Sequence, residues 1–226
     1  MLKLKRKLVA VIAVRAGSRR VKNKNIRPFG DSNLLVHKIR QLKLVKSIDE
    51  IIVSSDSDQM LEMAENEGTS IHKRGAEFCD EKTKTMGEVI AHICENIDSD
   101  DVIWTPCTTP LISEDKYALA IDDYYSAVEK GYDSLIAVEE VRLFLRNLDG
   151  PINYEQGKNQ VPSQQLEPFY ISTGGIYIAP REKMIEWNYY IGPKAYSFIL
   201  DKRSSIDIDE ELDFECAKAW YDMNLN

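Results

Sequence analysis

Three clusters in this sequence have the residue types and spacing to work on a phosphate. The first is Arg15-Ala16-Gly17-Ser18-Arg19-Arg20-Val21-Lys22-Asn23-Lys24-Asn25, with five cations, one hydroxyl and one glycine. Gly17 lets the backbone approach an anion closely, and Ser18, Arg19 and Lys24 offer donors. The stretch lacks Gly-Lys-Ser/Thr and Gly-x-Gly-x-x-Gly, so it is neither a Walker loop nor a dinucleotide fingerprint. Its competing reading is a solvated basic turn. The second cluster is Asp207-Ile208-Asp209. In an extended segment residues two apart share a side, so Ile208 would enter the core while both carboxylates meet a hard cation such as Mg2+. Asp209 would equally serve as N-cap of the closing helix. The third comprises two strand ends, Val53-Ser54-Ser55-Asp56-Ser57 and Trp104-Thr105-Pro106-Cys107-Thr108-Thr109-Pro110-Leu111. The small hydroxyl residues of the first of these would line a nucleotide pocket or cap the helix that starts near Asp58. His37, His72 and His92 have no metal-ligand spacing, and no Ser-His-Asp or Cys-His arrangement stands out.

The elements that must hold these clusters alternate. Val9 to Val14 is a short, β-branched, buried strand that runs straight into Arg15. A helix follows over Asn33 to Val45, then a strand over Glu50 to Asp56, a helix over Met60 to Asn66 and a strand over Ser70 to Arg74. Thr85 to Ile97 is a helix, Asp101 to Trp104 a strand, Ser113 to Glu129 a helix and Ser134 to Val138 a strand. This alternation predicts an α/β fold with a mainly parallel sheet, in which ligands bind beyond the carboxyl ends of the strands. Arg142 to Gln165 breaks the period and reads as a hairpin or excursion. Pro168 to Ile178 and Ser197 to Leu200 are strands, and an amphipathic helix runs to Met223 through Leu212, Cys216, Ala219 and Trp220.

Composition narrows the partners. With 226 residues and 43% hydrophobic content, the chain can bury one core as a single domain over 1–226. A net charge of -8 argues against a nucleic-acid binder and makes the cationic loop conspicuous. The basic start from Lys3 to Lys7 precedes an apolar run too short for a signal peptide, and no segment is long and apolar enough to span a membrane. Cys79, Cys94, Cys107 and Cys216 are scattered, which fits reduced thiols in a cytoplasmic protein.

Taken in order, the motifs resemble the CMP-sialic acid synthetase, or acylneuraminate cytidylyltransferase, family. The family's Arg-x-Gly-Ser-Lys, spacer, Lys-Asn is similar to Arg15-Ala16-Gly17-Ser18-Arg19 and then Lys24-Asn25. Its Ser-Ser/Thr-Asp matches Ser54-Ser55-Asp56, and its Arg-Pro-Ala-Glu-Leu resembles Arg74-Gly75-Ala76-Glu77-Phe78. Pro-Thr-Ser-Pro-Leu corresponds to Cys107-Thr108-Thr109-Pro110-Leu111, and Gln-Gln-Leu to Gln164-Gln165-Leu166. Asn-Gly-Ala-Ile-Tyr-Ile corresponds to Thr173-Gly174-Gly175-Ile176-Tyr177-Ile178. The closing Ser-Ile-Asp-Ile-Asp with Leu-Asp matches Ser205 to Asp213 throughout. The octulosonic-acid synthetases carry a different opening motif, so the chain looks closer to the sialic branch.

The resemblance implies a Rossmann-like nucleotide-diphospho-sugar transferase fold with helices on both faces of the sheet. It implies a reaction in which CTP and a 2-keto sugar acid give the CMP-sugar and pyrophosphate. Arg15, Gly17, Ser18, Arg19, Lys24, Asn25, Arg74 and Thr85 would then meet CTP, with Arg15 and Lys24 also stabilising charge in the reaction. Asp207 and Asp209 would hold Mg2+. Thr105, Pro106, Gln165, Tyr170, Thr173 and Tyr177, with Arg142, would surround the sugar acid. Arg20 and Lys22 fall in the variable spacer and read as solvated or steering charges. The family also implies a homodimer in which the excursion, 139–170, closes the partner's site. Departures gather at the sugar end: Pro106 where the family has Gln, Ser163 where it has Arg, Thr173 where it has Asn. They leave open a non-sialic acceptor, another nucleotide-sugar nucleotidyltransferase, or a non-catalytic nucleotide-binding homologue.

Overall fold

The computed structural model describes residues 5–18, 20–80 and 82–223. Lys3 of the basic start and Arg19 of the loop lie outside these. Seven strands form one sheet: β1 (Leu8–Ala13), β2 (Glu50–Ser55), β3 (Ser70–Lys73), β4 (Asp101–Trp104), β5 (Ser134–Val141), β6 (Phe169–Pro180) and β7 (Ala195–Leu200). Their spatial order is 3-2-1-4-6-5-7. The pairs β1–β2, β1–β4, β2–β3 and β5–β7 are parallel, whereas β6 runs antiparallel to both β4 and β5. The mainly parallel sheet expected from the alternation is therefore present, with one reversed strand that the alternation did not reveal.

Helices α1 (Leu34–Lys43), α2 (Asp58–Asn66), α3 (Met86–Glu95), α4 (Glu114–Glu129), α5 (Arg181–Trp187) and α6 (Glu211–Met223) cover the two faces. Successive strand residues point to opposite faces, and the core divides accordingly. Leu8, Ala10 and Ile12 of β1 pack in the cluster that holds α1, α4 and α6 residues. Val9 and Val11 pack in the cluster that holds Val89, Ile93 and Met184 of α3 and α5. A strand wetted on neither face needs a continuous apolar run, which is what Leu8 to Ala13 supplies.

Local signals start the helices. Asn33 Oδ1 accepts from Val36 N at 3.0 Å and caps α1, and Ser57 caps α2. Thr85 and Glu88 form a reciprocal capping box on α3. Helix α5 is absent from the sequence reading. It has seven residues, opens at Pro180 and ends at Asn188 in the left-handed conformation, too short to show a helical period.

The excursion after β5 contains a two-residue antiparallel ladder, Arg146–Asn147 with Gly150–Pro151. Phe144 and Tyr154 meet edge to face at 5.0 Å. Leu143, Leu148, Ile152, Phe169, Tyr170 and Ile171 around it are all exposed. Among the described residues, no helix is long and apolar enough to cross a membrane.

Candidate functional site

The loops leaving β1, β2, β3 and β4 start side by side. Val14 N donates to Ser54 O at 2.9 Å, Arg74 N to Ser55 O at 2.8 Å, and Thr105 N to Val11 O at 3.1 Å. Beyond these strand ends lies a cavity of about 510 Å³. The strand order gives it two ends. Arg15, Arg74, Lys84 and Thr85, from the segments that follow β1 and β3, line part of it; Trp104, Pro106, Tyr177 and Asp207 line the part beside β4 and β6.

The cationic loop is held from several sides. Ala16 N donates to Asp56 Oδ1 at 2.9 Å, so the Ser-Ser-Asp strand end braces it. Gly17 has φ of 74° with open space where a Cβ would stand, a left-handed residue that keeps the loop's backbone accessible. Arg15 Nη1 donates to Cys79 O at 2.9 Å while its side chain lines the cavity. Ser18 is half-buried. Asn25 is buried and does not line the cavity: its Nδ2 donates to Arg15 O at 3.1 Å, and its Oδ1 accepts from Cys107 Sγ at 3.2 Å. In this arrangement Asn25 shapes the loop rather than facing a nucleoside.

The loop and the aspartate pair, far apart in sequence, come together. Lys24 Nζ donates to Ile208 O and lies 3.5 Å from Asp209 Oδ1. Arg20 Nη2 donates to the same Oδ1 at 2.7 Å. Arg20 is thus paired across the chain with the second aspartate, in contrast to the solvated charge read from its place in the spacer. Asp209 does not cap α6 with its side chain. Asp213 does so, accepting from Asp209 N at 3.0 Å and Glu210 N at 2.8 Å.

Asp207 has the more unusual surroundings. Its Oδ1 is buried without a hydrogen-bond partner. Burial raises its pKa above the usual carboxylate range; a hydrogen bond from Thr108 opposes this, Asp209 adds to it and Lys24 counters. Gly174, at φ of 70°, stands so close that a Cβ there would lie 2.7 Å from Asp207 Oδ2. A carboxylate oxygen with no donor suits a cation. Among the described residues no group of three or more His, Cys, Asp or Glu could hold a metal. Asp207 would offer its unpartnered oxygen and Asp209 the carboxylate now paired with Arg20 to Mg2+, which keeps waters and takes substrate phosphates as ligands.

The remaining predicted residues divide. Arg74 is buried, lines the cavity and donates to Val14 O; burial lowers its pKa, and its Nε has no partner. Thr85 lines the cavity from the N-cap of α3. Pro106 and Tyr177 line it too, and Tyr177 stacks on Tyr190 at 3.9 Å. Thr105 and Thr173 do not. Thr105 is buried against Tyr117, with the two hydroxyls 2.8 Å apart. Thr173 is buried, and its Oγ1 donates to Ala137 O at 3.2 Å. Gln165 and Tyr170 are exposed and outside this chain's cavity. Arg142 is bound to Glu140 and Leu166 O. Tyr190, Phe78 and Lys84 line the cavity without having been singled out. The Tyr189-Tyr190 pair was the available signal for the first.

The sequence pattern of the cytidylyltransferase family matches residues 9–173, from the first strand into the sixth. The chain belongs to this family. It is 26% identical over 226 residues to N-acylneuraminate cytidylyltransferase of Escherichia coli O18:K1:H7, covering 95% of this chain and 52% of that protein. The chain thus spans about half the length of that relative. It is 25% identical over 230 residues to pseudaminic acid cytidylyltransferase of Campylobacter jejuni, covering 96% and 97% of the two chains. With the CMP-N,N'-diacetyllegionaminic acid synthase of the same species the identity is 28% over 229 residues, covering 92% of each. Among solved structures, a CMP:2-keto-3-deoxy-manno-octonic acid synthetase complexed with CTP superposes with a TM-score of 0.70, at 11% identity, over 96% of this chain and 99% of that one. A 4-diphosphocytidyl-2C-methyl-D-erythritol synthase from Anaerococcus prevotii superposes at 0.68, with 15% identity over 96% and 97%. These likenesses establish the cytidylyltransferase fold expected above.

Proposed function

We propose that this cytidylyltransferase-family protein transfers CMP from CTP to the anomeric hydroxyl of a 2-keto sugar acid of the nonulosonic class. The observation that carries this reading is the meeting of Lys24 with the Asp207–Asp209 segment, of which Asp207 lines the strand-end cavity. The relatives named for sialic, pseudaminic and legionaminic acids support the acceptor class.

The triphosphate lies along the cationic loop, where Gly17 leaves the backbone open and Arg15, Ser18, Arg19 and Lys24 supply donors. The nucleoside occupies the end lined by Arg74 and Thr85. The sugar acid occupies the other end, against Trp104, Pro106, Tyr177 and Tyr190. Its anomeric hydroxyl attacks the α-phosphorus and releases its proton to water, and the bond from that phosphorus to the bridging oxygen breaks, so that this oxygen leaves with pyrophosphate. Negative charge grows on the transferred phosphoryl oxygens and on the departing pyrophosphate, and fixed cations are worth most against charge that develops in the transition state. Asp207 and Asp209 would hold Mg2+, which orients phosphate oxygens and acidifies an oxygen bound to it.

The test is incubation with each nucleoside triphosphate, Mg2+ and a panel of nonulosonic acids. Pyrophosphate release is expected with CTP and one or more of the acids. Equal release with UTP would defeat the cytidylyl assignment, and tight CTP binding without turnover on any acid would favour a non-catalytic homologue.

The same reading assigns the 139–170 excursion to a second copy of the chain. Fully exposed Leu148, with Leu143, Ile152, Phe169 and Ile171, would be costly to leave in water. Gln165 and Tyr170 would then serve the partner's site. Light scattering should give the mass of two chains for the wild type and of one for a Leu148→Asp, Ile152→Asp variant. A monomeric wild type would remove the partner contribution.

A further inference from the structure

Helix α1 turns three side chains onto the turn after β4. His37 Nε2 lies 2.9 Å from Pro110 O, and Gln41 Nε2 donates to the same oxygen at 2.7 Å. Lys38 Nζ donates to Thr109 O at 2.7 Å and to the Tyr117 hydroxyl at 2.5 Å. Tyr117 in turn meets Thr105 Oγ1. Lys38 is fully buried, and that burial lowers its pKa to about 7.

An amine in a core is costly, and an apolar side chain of the same length generally costs less. Lys38 does not line the cavity, so substrate contact does not account for it. The turn it grips does. The neighbouring residue Thr108 lines the cavity, accepts from Ile208 N at 2.9 Å and hydrogen-bonds the Asp207 side chain. A short path of bonds therefore leads from the buried amine through the Thr108–Thr109 backbone to the aspartate segment.

We propose that Lys38 is a positioning residue: by holding the Thr109 carbonyl it fixes the Thr108–Thr109 turn and, through Thr108, the orientation of the Asp207 carboxylate. The inference rests on the role given to Asp207 under the proposed function. A buried carbonyl needs a donor. Without Lys38 the turn shifts to find one, and displacements near 1 Å at a reacting group cost up to about 10²-fold in rate.

Lys38→Met keeps the length and removes the donor. At saturating CTP its kcat should fall by about 30-fold, with the KM for CTP within about threefold of wild type. Mn2+ affinity of the CTP complex, titrated by electron paramagnetic resonance without acceptor, should fall by about fivefold or more. Tyr117→Phe keeps the amine and loses one of its acceptors, so smaller losses in the same direction are expected. A folded Lys38→Met with kcat and Mn2+ affinity both within twofold of wild type would overturn the inference, as would a lowered melting temperature as its sole defect. Should Lys38→Met not fold, Tyr117→Phe decides on the same readouts. A wild type that transfers no CMP defeats the proposed function instead, and the Mn2+ titration still reads the positioning.

Discussion

Asp207→Asn should reduce CMP transfer by about 10³-fold: in the proposed site it would hold Mg2+, whose charge stabilisation is worth several kcal/mol, and each 1.36 kcal/mol is tenfold. The same variant should be as stable as the wild type or more so. The Asp207 pKa is raised in the fold, chiefly by burial, so the folded state binds this proton more tightly than the unfolded chain. Above the folded pKa the ionised carboxylate opposes folding, and below the unfolded pKa it has no such effect. The neutral amide removes that opposition at pH 7, and the gain should disappear as pH falls through the raised pKa. Thermal unfolding checks this. The apo variant should melt at or above the wild type, yet Mg2+ with CTP should raise its melting temperature less, because ligand stabilisation follows affinity. Activity within tenfold of wild type would remove Asp207 from the chemistry.

Lys24→Ala should lower kcat by about 10² to 10³-fold, the range seen when one fixed donor to developing charge is lost. Lys24 is well placed for this size of effect. Its side chain is 14% exposed, donates to Ile208 O and stands 3.5 Å from Asp209. Its removal takes away the donor proposed for the phosphates and the bond that holds Ile208 O between the two aspartates. Lys24→Arg should recover little, because a planar guanidinium cannot replace a compact ammonium against one carbonyl. Arg20→Ala is the contrast. Arg20 is 63% exposed, and its pair with Asp209 lies at the surface, where such pairs contribute about 0–1 kcal/mol. Steady-state kinetics on the three variants should rank them in that order. A Lys24→Ala rate within fivefold of wild type would contradict the account.

Much of this was legible in the sequence because it depends on local pattern. The buried strands β1, β2 and β4 are apolar runs; β1 and β4 end in residues that line the cavity, and β2 ends in Asp56, which braces the loop after β1. The loop and the aspartate pair were recognisable by type and spacing, whereas the contact of Lys24 with Ile208 depends on strand order. Thr105 shows a reading that alternation should have corrected. Trp104 faces the cavity, so its neighbour points to the opposite face, where Tyr117 receives it. Thr173 was harder, because the register shifts between Ser172 and Tyr177 and breaks the period there. Lys38 was visible in principle. It stands among Leu34, Leu35, Ile39 and Leu42 on the apolar face of α1, and a lone cation at such a position marks either a misread helix or a buried network.

In the proposed reaction the nucleotide is transferred as CMP to a sugar acid. The phosphorus content of the product tests it most directly. Wild-type enzyme with CTP, Mg2+ and the accepted nonulosonic acid should give a product with one phosphorus, in a phosphodiester resolved by 31P NMR and matched by mass to CMP plus the sugar acid less water. A product with two phosphorus atoms, formed from a sugar 1-phosphate at a comparable or higher rate, would contradict the account.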